Sequence, residues 1–228
     1  MPARPPAPPR AAKPRRRRTT PARATPDSRD TIYAAAAELF ASRGFDGVGV
    51  DDIAHAARLN KAMLYYHFES KLALYRTIVR DMLRLAGHHL TRAAGSPDPA
   101  DARMAAFIAA FVAVADERPW FPLLMLREIS EGAPRLDPET FGLMKDVFMA
   151  FGRILADGRR AGLFREVNPV LTYMSILGPI LLNAGRERAA ARPGRIDFPM
   201  FAVVSHQDLT THMQQAALRL LAPESTLA

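Results

Sequence analysis

Residues 59–71 read LNKAMLYYHFESK, which places two tyrosines, a histidine and two lysines within thirteen positions. Asn60 is a good helix N-cap, because its side-chain oxygen can accept from a free N–H of the first turn. Leu59 just before it can pack on Leu64 and fix the angle at which the chain joins the helix. The spacing predicts a helix over 61–67 whose inward residues are Leu64 and, a turn later, Phe68. Lys61, Ala62, Met63, Tyr65 and Tyr66 are left facing outward. Upstream, Val50, Ile53, Ala54 and Ala57 recur at i, i+3, i+4 and i+7, the stripe of a second short helix. Asp51 and Asp52 in its first turn complement the helix dipole. Two short helices joined by a tight turn at Arg58-Leu59-Asn60, the second one polar and aromatic outside, follow the helix-turn-helix plan. In that plan the second helix enters the major groove of DNA. Tyrosine hydroxyls, lysine ammonium groups and an imidazole N–H on that face can reach base edges and phosphates.

The flanks extend the pattern. Before the turn, Ile32, Ala35, Ala36, Leu39 and Phe40 form one helical stripe, with Asp27 or Ser28 as N-cap and Gly44 as the stop. After it, Ser70 is placed to cap a long helix with the stripe Leu72, Tyr75, Val79, Met82, Leu83, Ala86 and Leu90.

Residues 35–75, AAAELFASRGFDGVGVDDIAHAARLNKAMLYYHFESKLALY, resemble the DNA-binding domain of the TetR family of bacterial regulators. The resemblance rests on the family's ELF..RGF, its V..IA..A second helix, its LYYHF..K third helix and the lysine that opens the fourth. It implies phosphate contacts from Tyr65, His67 and Lys71, and base-edge contacts from Lys61, Ala62, Met63 and Tyr66. It also implies a cytoplasmic homodimer, most often a repressor, on double-stranded DNA bearing an inverted-repeat operator. Three positions depart from the family pattern. Arg58 stands where glycine is usual and must adopt a left-handed conformation or a modified turn. Gly49 replaces a Ser or Thr, removing a side-chain phosphate contact. Ala62 and Met63 replace Gly and Thr, which implies a more apolar readout, such as thymine methyl groups.

Beyond residue 95 the punctuation stays helical. Asp98-Pro99, Asp137-Pro138 and Asn168-Pro169 each set a capping side chain before a proline suited to the first helical position. Met104, Phe107, Ile108, Phe111 and Ala115 form one stripe, and Phe141, Met144, Phe148, Phe151 and Leu155 another that stops at Gly162. A helix near Trp120 to Glu131 lies between them. The segment from Pro169 is apolar nearly all round, so it must be covered on all sides, and Gly178-Pro179 predicts a kink or break within it. A last helix after Ser205 carries Leu209, His212, Met213, Ala216 and Leu220. By the family resemblance, the Pro169 helix and the last helix pair with their copies in the homodimer, with Leu177 inside that interface. The helices before them enclose a small-molecule effector cavity. Phe107, Phe111, Trp120, Phe121, Met125, Phe148 and Phe151 are candidates for its wall, with Arg127, Glu128 and Tyr173 as polar contacts, so the effector should be largely apolar or aromatic.

The predicted fold class is therefore all-α, an N-terminal three-helix helix-turn-helix domain (27–75) followed by a larger helical effector-binding and dimerisation domain (76–228). Residues 1–26 form a separate arm. Residues 1–29 hold nine Lys and Arg against the single acid Asp27, while the other 199 residues balance 22 basic against 22 acidic side chains. Eight of the nineteen prolines lie before residue 27, and with little apolar content the arm is expected to be disordered, serving as a solvated tail or as an electrostatic hook for phosphates.

Zero cysteines exclude disulfides, thiolate zinc sites and a cysteine nucleophile. No histidine pair stands at i, i+4 to clamp a metal, and no cofactor is expected. GFDGVG follows a helix rather than a strand, unlike a dinucleotide loop, and no nucleophile-elbow, P-loop or kinase motif occurs. The apolar run from Val170 to Leu182 is short of the roughly 20 residues of a membrane span. The expected function is a non-enzymatic, effector-responsive DNA-binding regulator. The alternatives are an architectural DNA-binding protein without effector and an all-α small-molecule enzyme.

Overall fold

The computed structural model of the chain describes residues 26–190 and 204–223. The expected disordered arm lies outside them apart from Pro26. The described residues form α1 (Pro26–Arg43), α2 (Val50–Ala56), α3 (Lys61–His67), α4 (Lys71–Ala94), α5 (Ala100–Glu117), α6 (Trp120–Ser130), α7 (Pro138–Arg160), α8 (Pro169–Ala190) and α9 (His206–Leu221), and among them there is no strand.

In the N-terminal part, α1 packs on α2, α3 and α4, burying Ile32, Ala36, Ala37 and Phe40. Gly44 ends α1 at φ +76°, with its N–H on the Phe40 carbonyl, a left-handed conformation that glycine adopts without a Cβ penalty. The side chain of Asp27, one of the two expected caps of α1, lies outside the described residues. Ser28, the other, lies buried inside the first turn, its Oγ 2.8 Å from His67 Nε2. Of the two forms expected for the turn between α2 and α3, the left-handed one is adopted, with Arg58 at φ +55°. Asn60 caps α3 by accepting from Met63 N–H at 3.0 Å, and Ser70 caps α4 by accepting from Ala73 N–H at 3.0 Å. At the start of α2, Gly49 offers no side chain. Its N–H donates to Asp52 Oδ2 at 2.7 Å, half of a capping box.

The long α4 carries the architecture onward. It packs on α1 at one end and on α5 and α7 along its length. Because it is covered from several sides, Leu74 and Ile78 are buried beside the predicted stripe, whereas Leu72 is only half-buried. The boundary expected after residue 75 falls inside this helix, and one continuous core runs from Ile32 to Leu221. Asp137 caps α7 as predicted, accepting from Thr140 N–H at 2.9 Å. At Asp98-Pro99 the helix starts only at Ala100, without a side-chain cap. α8 runs without a break through Pro179, so of the kink or break expected at Gly178-Pro179 the break does not occur. On α9 the face toward α5 is the i+4 row Leu209, Met213, Ala217 and Leu221, one position on from the predicted Ala216 and Leu220.

Candidate functional site

The outer face of α3 is open. Tyr65 is 50% exposed and Tyr66 70% exposed, and Lys61 and Ala62 are exposed beside them. Two large aromatic rings on a seven-residue helix are held out in solvent because α3 is anchored from below by Leu64 and Phe68. Lys61 Nζ reaches Asp51 Oδ2 at 3.2 Å. That pair is exposed on both sides, so it contributes little to stability and can be exchanged for a phosphate.

Two of the expected contacts, Met63 and Lys71, are placed differently, and a third, His67, is tethered. Met63 was expected on the outer face, yet it is 6% exposed and belongs to the core. The periodicity of α3 does not distinguish the flank of Met63 from that of Tyr65; α1 and α2 both pack on α3, and the Met63 flank is the covered one. Met63 thus supports the helix from beneath. Lys71 lies half-buried, donates to the carbonyls of Phe45 at 3.0 Å and Val48 at 2.9 Å, and holds its Nζ 4.0 Å from the Phe45 ring centroid. Its ammonium is engaged with the loop before α2, where it fixes that loop's shape. His67 is likewise half-buried and tied to Ser28, which leaves one ring nitrogen free of that bond.

The second site is a cavity of about 430 Å³ among α4, α5, α6, α7 and α8. Of the expected wall residues, Phe111, Phe121, Met125, Phe148 and Tyr173 line it. Phe107 and Phe151 do not. They are fully buried, their rings tilted against one another at 5.6 Å between centroids. Trp120 is buried at a different groove, beside Leu123 and Ala184. Arg127 projects from the opposite face of α6, toward Gly44 and the end of α1. Missed by the sequence reading were Leu83, Ala86 and Leu90 on α4, Phe141, Met144 and Lys145 on α7, and Leu177 and Leu181 on α8. The half-buried or exposed state of Phe141, Met144 and Phe148 on an otherwise buried helix face is the signature of that cavity. Leu177, expected inside the interface between copies, lines the cavity. The outward side of α8 shows Val170, Leu171, Met174 and Leu182, all more than half exposed. The Tyr173 ring packs on Phe148 and Phe151, and burial pushes its hydroxyl pKa up to about 12.

Between the two sites lies a polar junction. Glu128 on α6, expected at the effector, is 0% exposed. Its Oε2 accepts from the Tyr75 hydroxyl at 2.5 Å and its Oε1 from Arg135 N–H at 3.0 Å. Arg135 also donates to Glu131 at 2.5 Å and to Asp46, in the loop before α2, at 2.7 Å. The Arg135 guanidinium lies over the Phe45 ring at 5.0 Å, and Tyr75 meets Phe40 and Phe45 edge to face. Burial opposes the charge on Arg135, but the hydrogen bonds to Glu131, Asp46 and Glu128 outweigh it and raise its pKa. Burial, and then the bond to Glu128, raise the Tyr75 hydroxyl far above its ordinary value, so it remains a donor. One face of α6 thus lines the cavity through Phe121, Met125 and Ile129, while Glu128 holds the loop between α1 and α2 through Arg135.

Residues 32–78 match the model of bacterial regulatory proteins of the tetR family. The HTH-type negative transcriptional regulator IcaR of the biofilm operon icaADBC in Staphylococcus aureus is 44% identical over 52 residues, a match that covers 23% of this chain and 28% of that protein's length. The crystal structure of the TetR family transcriptional regulator PfmR from Thermus thermophilus superimposes with a TM-score of 0.65 at 28% identity, covering 84% of this chain and 99% of that one. The ketosteroid transcriptional regulator KstR2 of Mycobacterium tuberculosis superimposes with a TM-score of 0.72 at 20% identity over 88% and 98%. All three are named transcriptional regulators.

Proposed function

We propose that this chain, which belongs to the tetR family of bacterial regulatory proteins through residues 32–78, works as a homodimer that docks α3 in the major groove of an inverted-repeat operator and leaves it when an apolar effector fills the cavity. The observation that carries the DNA-binding part is the exposed pair Tyr65 and Tyr66 on an anchored seven-residue helix, flanked by Lys61 and Ala62. Tyr65 and His67 are assigned to phosphates, and Lys61, Ala62 and Tyr66 to base edges. Met63 and Lys71 shape the reading head without touching DNA. The matched relative IcaR is named a negative regulator, and repression is the proposed sense here too.

The effector response follows from the junction. A ligand that wedges Phe121 and Met125 apart from α7 and α8 shifts α6, and Glu128 and Arg135 carry that shift to Asp46 and the loop before α2. The ligand acts only through its differential affinity for the two arrangements. Residues 27–75 are the proposed reading part and 76–228 the sensing and pairing part. The exposed apolar stripe of α8 is the proposed contact with the second copy, a twofold interface that the operator's symmetry mirrors. The test is titration of fluorescent operator DNA against Tyr65→Phe and Tyr66→Phe. Tyr65→Phe should weaken binding about equally on cognate and unrelated DNA, since phosphate contacts do not read sequence, while Tyr66→Phe should weaken the cognate site selectively. Unchanged binding by both variants would remove α3 from the interface.

A further inference from the structure

We infer that the cavity takes a monoanionic amphiphile, a carboxylate on an apolar chain or ring body, with Lys145 as its counter-ion and the Tyr173 hydroxyl as its hydrogen-bond donor. This rests on the reading of the cavity as the effector site. The wall is aliphatic and aromatic except for these two side chains. Lys145 is exposed, and among the described residues it makes no ion pair. The α4 arginines Arg76, Arg80 and Arg84 on the neighbouring face are all matched with Asp137, Glu139 or Asp81. The Tyr173 hydroxyl has no hydrogen-bond partner among the described residues, and burial keeps it protonated, with its pKa pushed up to about 12.

Both residues neighbour Phe148 in the lining. Lys145 lies three residues before Phe148 on α7, which is neighbouring spacing on a helix, and the Phe148 ring is 5.4 Å from that of Tyr173. Lys145 and Tyr173 give the lining an ammonium and a hydroxyl, two donors, and no carboxylate stands among the lining residues. A carboxylate, with two acceptor oxygens, can use both. A neutral ligand leaves Lys145 without a partner, and a cationic one is repelled by it. A polyanion would need further charges met, yet the remaining wall offers only apolar groups, against which an unpaired charge is costly.

The experiment is titration calorimetry of the full chain with decanoate, decanol and decyltrimethylammonium at neutral pH, each below its micelle concentration. Decanoate should bind about tenfold more tightly than decanol, as a hydrogen-bonded charged contact provides, and the ammonium compound most weakly. Lys145→Met keeps the apolar stem and should bring decanoate down to the affinity of decanol. Tyr173→Phe should weaken both several-fold. Equal affinity for acid and alcohol in the wild type, or a preference for the acid that survives Lys145→Met, overturns the anion inference and leaves the cavity reading standing. Binding of none of the three compounds overturns the cavity reading with it.

Discussion

Glu128 offers the sharpest test of how the two ends of the molecule are joined. Its side chain is wholly buried and receives the Tyr75 hydroxyl, the Arg135 backbone N–H and, at 3.3 Å, the Arg135 guanidinium. Glu128→Ala orphans two buried donors, each costing about 1–3 kcal/mol. The guanidinium keeps Glu131 and Asp46, so no uncompensated charge is left behind. The expected loss is about 3–5 kcal/mol, a large share of the roughly 5–15 kcal/mol that holds a domain folded. Glu128→Gln keeps the shape and the acceptor for Arg135 N–H, and the Tyr75 hydroxyl can rotate to accept from the new amide. Only the charge assistance is lost, about 1–2 kcal/mol. Urea unfolding at fixed protein concentration, followed by circular dichroism, measures both, and a common m-value confirms that the same surface is exposed. The reasoning fails if Glu128→Ala lies within about 0.5 kcal/mol of wild type, or if Gln costs as much as Ala. Operator titrations of Glu128→Gln with and without effector should also show a weaker effector response, because the link from α6 to Asp46 is loosened.

Other outcomes follow from particular contacts. Met63→Ala should cost about 2–5 kcal/mol as a core truncation and leave the selected operator sequence unchanged; an altered sequence would return Met63 to the base-reading face. The Asp137 carboxyl is held below its ordinary range chiefly by the Thr140 hydroxyl, opposed by burial, and then by Thr140 N–H, Arg80 and Arg76. A depressed carboxylate gives stability that is present above the ordinary value, about 3.9, and is lost as pH falls through the folded value. Asp137→Asn, which can still cap α7, should therefore flatten the acid limb of a stability-versus-pH curve, and an unchanged limb would refute this. Met174→Glu, on the exposed stripe of α8, should give folded monomers in sedimentation, while a dimer of unchanged strength would move the interface elsewhere.

The helices were legible in the sequence because their signals are local. Asn60, Ser70 and Asp137 cap where their side chains predict, and the bounds of α3 follow from the cap and the spacing of Leu64 and Phe68. Arg58 was half readable, since its place in the turn left a left-handed conformation or a modified turn, and the first is the one adopted. What stayed hidden depends on partners distant in the chain. Met63 looks outward from α3 alone and is buried only because α1 and α2 cover that side. Lys71 looks free until the loop carbonyls of Phe45 and Val48 are brought beside it. The cavity was half legible, since an aromatic stripe does not distinguish a ring that lines a void, such as Phe148, from one packed solid in the core, such as Phe151. A signal for Glu128 existed, a lone acid in the apolar run WFPLLMLREIS, but it pointed equally to a ligand contact and to a buried ion pair.

The central claim is that two copies of α3 read DNA through the face that carries Lys61, Tyr65 and Tyr66. Selection from a random DNA pool by the full chain, in parallel with a Lys61→Ala, Tyr66→Ala variant, tests it most directly. The account predicts that the wild type enriches an inverted repeat with half-sites about one helical turn apart or a multiple of it, and that the variant, although folded, fails to enrich that sequence. An asymmetric motif, or the same motif returned by both proteins, would contradict it.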